Sequence, residues 1–309
     1  MLTHLLAASC LLSLTAGTAA GQASYIGKLS GAPIELLVAP LSSGTGVYLY
    51  TKIGTPIILR SDLRHGVLTL TEYAADRLLT TQSLLSTKYK PVATLTIAKF
   101  SFDAPVLRGT WRSLATGKQL PLALTLVAGP NDAGTAAAPP TALQNESTPL
   151  YYFKTLLTGK ASDPATRVGA VQVIEKKTNR VLQQFPVNCR AIGQGSVSVD
   201  DYNFDGMPDF SIYEDDHERP HFAGSNTTSQ YFLYDPTTRQ FVASDFQGIG
   251  LTFDAKKKRV YECTPAPTRL AMTKAEYRVL DNHLVLVAKR CFDWDINKGF
   301  VVSEPSACQ

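Results

Sequence analysis

Charge is scarce in this sequence, and what there is nearly cancels. Asp, Glu, Lys and Arg make up 18% of the 309 residues, too small a share for a solvated disordered chain. Lys and Arg number 30 against 26 Asp and Glu, and no cluster concentrates the surplus of +4, which argues against a nucleic-acid binder. Beyond residue 23 there is no apolar run long enough to span a bilayer. Histidine is rare, with 5 in all, and the H-E-x-x-H and G-x-S-x-G motifs that would signal hydrolytic chemistry are missing, as is a phosphate-binding glycine loop. Long amphipathic helical stretches and clear internal repeats are also lacking. What remains is ample apolar material, 44% of residues, enough for more than one core.

Residues 1–23, MLTHLLAASCLLSLTAGTAAGQA, are apolar from Leu5 to Leu14 and close in small residues. This reads as a secretory leader, cut after Ala20 or Ala23, although only the α-amino group and His4 supply its positive end. The stretch before Cys10 is too short for a lipoprotein signal. The expected location is therefore the periplasm or the outside of a bacterial cell.

Cysteine usage fits export. With Cys10 lost in the leader, Cys189, Cys263, Cys291 and Cys308 remain, all in the second half. An even number in one region of an exported chain suggests two disulfides. Cys263–Cys291 is the preferred pair, which leaves Cys189–Cys308. Each bridge would stabilise by roughly 3–4 kcal/mol. The ligand spacing of a zinc site is absent.

Along the chain, short β-branched and aromatic runs alternate with turn residues. Over 24–127 they fall at 33–38 (PIELLV), 47–51, 56–59, 67–72, 92–98, 106–111 and 120–127, with turns such as His65-Gly66 between them. This spacing predicts an antiparallel meander, a small barrel or a sandwich. Residues 73–85 read as one helix or a wide excursion. Residues 128–148 are dominated by Ala, Pro, Gly and Thr and read as a linker. Strand-like runs resume over 149–309, at 169–175, 181–185, 210–213, 230–234, 241–244, 260–263, 277–280, 284–288 and 300–303. The expectation is an all-β protein of two modules, the second a propeller-like or sandwich domain.

One motif carries specific chemistry. Asp201-Tyr202-Asn203-Phe204-Asp205-Gly206-Met207-Pro208-Asp209 is D-x-N-x-D-G-x-x-D. Calcium takes six to eight oxygens at about 2.3–2.6 Å, and alternate side chains converge on one ion only where the chain wraps tightly. Gly206 permits that turn. Asp201, Asn203, Asp205 and Asp209 are the expected side-chain ligands, with the carbonyl of Met207. An EF-hand would place Glu at loop position 12, which here is Ile212, and the flanks are strand-like, so the loop is expected between strands. A second stretch, Asp293-Trp294-Asp295-Ile296-Asn297-Lys298-Gly299, begins like such a loop but reads better as a plain hairpin. Trp111 and Trp294 are expected in cores.

The run VDDYNFDGMPDFSI at 199–212 resembles a family of exported bacterial calcium-loop proteins, among them β-propeller immunity proteins that inhibit lysozyme-like effectors of type IV secretion systems. Leu233-Tyr234-Asp235-Pro236 before Gln240-Phe241 fits the family's following hairpin. The resemblance covers 165–309 and is specific at the loop. It implies Asp201, Asn203, Asp205 and Asp209 as calcium ligands and a lytic enzyme as partner. The C-terminal region is short for a propeller, which needs at least about four blades.

The densest titratable cluster is Glu214-Asp215-Asp216-His217-Glu218-Arg219-Pro220-His221. His217 and His221 have zinc spacing, but Pro220 opposes a helix, so a solvated loop is the better reading. This long polar loop, with His217, Arg219 and His221, is the expected partner surface, since Arg forks onto carboxylates such as those of a lysozyme-like cleft. Three function classes follow: a non-enzymatic binder or inhibitor of a lytic enzyme, which is preferred; a structural or adhesive envelope module; and a hydrolase whose site the sequence does not disclose.

Overall fold

The structure, a computed structural model, describes residues 22–39, 44–74, 90–134, 140–216, 227–265, 271–295 and 299–304. Most of the expected leader, most of the 73–85 stretch, His217, Arg219, His221 and Cys308 lie outside the described residues. The described chain is all-β, with no α-helix and one short 3₁₀ turn at Gly193–Gly195. No helix among the described residues is long and apolar enough to cross a membrane.

Eight strands close into an antiparallel barrel: β1 (Ala23–Leu29), β2 (Ala32–Val38), β3 (Thr45–Tyr50), β4 (Ile57–Arg64), β5 (Val67–Tyr73), β6 (Pro91–Ile97), β7 (Val106–Ser113) and β8 (Gln119–Ala128). Of the two forms expected for this module, the barrel is the one adopted. Neighbours in sequence pair in space, and β8 returns to β1 with Tyr25 opposite Leu126. Ala23, which the sequence reading included in the leader, opens β1 and is fully buried. Period-two alternation sends Leu36, Val38, Tyr48, Leu68, Leu70 and Leu95 inward, where they fill the barrel. Trp111 is half-buried there, and its indole N–H and the Tyr48 hydroxyl donate to one oxygen of Glu72, at 3.1 and 2.9 Å.

Gly27 is required where the barrel closes. A Cβ at this position would lie 2.0 Å from the carbonyl oxygen of Ala123 on β8. Gly27→Val is therefore expected to force the seam apart and destabilise by roughly 1–3 kcal/mol or more, measured by urea unfolding followed through Trp fluorescence.

Three further sheets stack in order on the outside of the barrel. The first contains β9 (Thr141–Ser147), β10 (Tyr151–Leu157), β11 (Arg167–Glu175) and β12 (Arg180–Arg190). The second contains β13 (Val197–Asp200), β14 (Asp209–Asp216), β15 (Thr227–Asp235) and β16 (Gln240–Ala243). The third contains β17 (Thr252–Asp254), β18 (Arg259–Pro265), β19 (Ala271–Leu280), β20 (His283–Asp295) and β21 (Gly299–Ser303). Each is an antiparallel meander. The 128–148 segment is thus not linker throughout, because β8 ends in it and β9 forms in it.

Three apolar seams hold the stack. Leu37, Val47 and Leu49 on the barrel's outer surface meet Ala142, Leu143, Tyr152 and Ile174 of the first sheet. Strands β2 and β3 are therefore buried on both sides, which is why they read as largely apolar runs, broken in β2 by Glu35. Phe153, Val171 and Val173 of the first sheet pack on Phe210, Phe232 and Phe241 of the second. Tyr202, Tyr231 and Leu233 of the second sheet and its loop pack on Phe253, Val279 and Leu284 of the third. Polar contacts add to the first seam: Lys154 Nζ lies 2.6 Å from Glu35, and the Ser24 hydroxyl donates to the Thr141 carbonyl at 2.9 Å.

The expected Cys263–Cys291 bridge is not formed. Cys263 carries a free, exposed thiol. It pairs with Lys274 across β18 and β19, whereas Cys291 pairs with the next residue, Thr273, across β19 and β20. The two cysteines are thus two strands apart, roughly 10 Å, and on opposite faces, beyond disulfide reach. Cys189 is buried in the core between the first and second sheets.

Candidate metal centre

The 201–208 segment closes the hairpin between β13 and β14, whose last and first residues, Asp200 and Asp209, are paired. The strand–loop–strand setting expected from the flanks is the one observed. Ile212, at loop position 12, is buried in the core.

Side chains, not backbone ladders, shape the loop. Asp201 accepts the amide hydrogens of Asp205 and Gly206, one on each carboxylate oxygen, at 3.0 and 2.9 Å. Asn203 Oδ1 also accepts from the Asp205 amide, at 3.1 Å, and Asp205 Oδ1 accepts from Met207 at 2.7 Å. These turns hold Asp201, Asn203 and Asp205 against the loop's own backbone. The tight path requires left-handed backbone at Phe204, φ 63°, and at Gly206, φ 89°. Tyr202 and Phe204 point the other way and are buried against Phe253 of the third sheet, anchoring the loop.

Asp209 is fully buried, and its role is partly internal. Its carboxylate accepts from the amides of Tyr202 at 2.9 Å, Asn203 at 3.4 Å and Tyr234 at 2.7 Å. Burial, with the charge of Asp205 added, pushes its pKa up to about 7 despite these donors. Glu146 on β9 accepts from the Val199 amide at 2.5 Å, and its pKa is also raised, by burial and by Asp200. Carboxylates crowd this end of the second sheet.

Two neighbours were not legible in the motif. Lys258, in the β17–β18 turn, donates to the Phe204 carbonyl at 3.1 Å, so a cation does approach the loop from outside it. Asn203 Nδ2 donates to Asp205 and to Asn282 Oδ1, at 2.9 and 3.0 Å, tying the loop to the β19–β20 turn. Beside the loop a cleft of about 440 Å³ opens between Asp205, Asp235, Asp245, Asn282 and His283, with His283 Nδ1 2.7 Å from Asp245.

Among the described residues, no three His, Cys, Asp or Glu side chains gather as a metal cluster. The loop instead offers two carboxylates and an amide oxygen, with Asp209 behind them. All are hard oxygen donors, the class calcium takes and zinc disfavours. This donor set fits calcium.

The fold and loop define the class: an all-β protein with a barrel, three stacked sheets and an acidic hairpin loop. Compared with known proteins, the chain matches no family model and no curated sequence.

Proposed function

We propose that this chain is an exported, non-enzymatic binding protein stabilised by calcium in the 201–209 loop. The supporting observation is that Asp201, Asn203 and Asp205, at alternate positions of one tight hairpin loop, are each held by hydrogen bonds from the loop's own amides. In this reading the ion takes Asp201, Asn203, Asp205 and the Met207 carbonyl, with Asp209 at the base. It offsets the carboxylate crowding and links the second sheet to the third through Asn203. Affinity in the extracellular range, on the order of 10⁻⁴–10⁻³ M, is expected.

Free calcium about a hundredfold above the dissociation constant stabilises by roughly 2.7 kcal/mol. Thermal unfolding with calcium and with EGTA measures this. Asp205→Ala is expected to remove most of the difference, and an identical Tm in the two buffers for the wild type would show that no structural ion is bound. For the partner, the resemblance at 199–212 supports inhibition of a lysozyme-like lytic enzyme. A peptidoglycan turbidity assay should show slower clearing when the protein is added. Unchanged clearing by the lysozyme-like enzymes tried would remove that support.

A further inference from the structure

Among the described residues, no sheet packs on the outer face of the third sheet, and its residues are not an ordinary solvated surface. Phe253, Val279 and Leu284 point toward the second sheet. The strand register places Lys274 and Arg290 directly opposite one another on the other face. Side chains so paired have Cβ atoms about 5 Å apart, and like charges there repel. Neither cation has an acidic partner among the described residues. Glu276, next along β19 on the same face, is held by Arg259 at 3.0 Å. Lys274 instead lies 4.9 Å from the ring centre of Tyr261. Every second residue of β20 beyond Arg290 is aromatic: Phe292, then Trp294, which is 48% exposed. Trp294 thus departs from the expected core position.

We propose that this face binds a polysaccharide carrying carboxylates. A uronic-acid chain presents carboxylates to the Lys274–Arg290 pair, where the Arg fork takes one bidentately. Its sugar rings lay their C–H faces on Phe292 and Trp294. A nucleic acid places a phosphate on every nucleotide and needs a track of cations. The Lys274–Arg290 pair, with two aromatics beyond it on β20 and Arg278 four residues away on β19, matches a ligand of sparser charge. The face is built without the 201–209 loop, so the inference is independent of calcium.

The test is calorimetric titration of the full chain at low salt with polygalacturonate, neutral dextran and a short thymidine oligonucleotide. Saturable binding to polygalacturonate, weakened by added salt, is expected, with none to dextran. Arg290→Glu is expected to weaken it about tenfold or more, and Trp294→Ala to weaken it less. Arg290→Glu also turns a like-charge pair into an opposite one, so its Tm should rise while binding falls. Failure of polygalacturonate to bind, equal binding by Arg290→Glu, tighter binding of the oligonucleotide, or an Arg290→Glu Tm that does not rise would each overturn the proposal.

Discussion

Asp209→Ala is expected to destabilise the protein by about 3–5 kcal/mol, more than loss of the ion itself. The substitution leaves the amides of Tyr202, Asn203 and Tyr234 without their acceptor in a buried setting. An orphaned buried donor costs about 1–3 kcal/mol, and the three costs are not fully additive because they share one site. Tyr202 sits in the seam between the second and third sheets, so slack in the loop reaches that seam. Asp209→Asn retains one acceptor oxygen but turns an NH₂ toward amide donors, so it should rescue only part of the loss. Urea unfolding of the two variants and the wild type measures this. A cost below about 1 kcal/mol for Asp209→Ala would show that water replaces the carboxylate.

The same carboxyl predicts a pH dependence. Its folded pKa of about 7 lies above the ordinary value of 3.8, so the folded state favours the protonated form. The resulting stability is fully present below about pH 4 and is lost as pH rises through 7, at no more than about 1.4 kcal/mol per pH unit. Unfolding in EGTA from pH 4 to 8 should show this loss. A cation in the loop opposes the Asp205 contribution, so calcium should flatten the profile. Glu146, also raised, adds to the loss in the same direction.

Most of the barrel was legible because its strands are marked by local signals. Strand β2 was expected at 33–38 and is observed at Ala32–Val38, and His65-Gly66 turns with both residues in the left-handed region. The hairpin carrying 201–209 was legible for the same reason, since ligand spacing, Gly206 and strand-like flanks lie within sixteen or so residues. Strands β9 and β10 were not legible. β9 lies in a segment whose composition suggested a linker, and its Ala142 and Leu143 become strand residues by packing under the barrel. Lys258 and Asn282 were out of reach because only the stacking of the third sheet brings them to the loop, from 54 and 79 residues away. The cysteine preference failed because adjacency in sequence pattern says nothing about an intervening strand, and β19 separates Cys263 from Cys291.

Lys154→Ala is expected to cost about 3–5 kcal/mol, or a Tm lower by roughly 10 °C. Lys154 reaches from β10 to Glu35 on β2 at 2.6 Å, and their side chains are only 19% and 11% exposed. Removing the lysine strands a carboxylate at the boundary between barrel and first sheet, where burial raises the cost of its charge. The core of that boundary is apolar, formed by Leu37, Val47, Leu49, Leu143 and Tyr152. A pair in such a place adds little net stability, because desolvation of both ions offsets their attraction. The double variant Glu35→Leu, Lys154→Met should therefore recover most of the loss, and its Tm should approach or exceed that of the wild type. What the apolar replacement gives up is selectivity: a single charge pair penalises every sliding of the sheet over the barrel that separates the partners. Calorimetric scans of wild type, single and double variants distinguish these contributions. A single variant that costs less than about 1 kcal/mol would place the pair in solvent, and a double variant no better than the single would assign the cost to lost packing by the lysine stem.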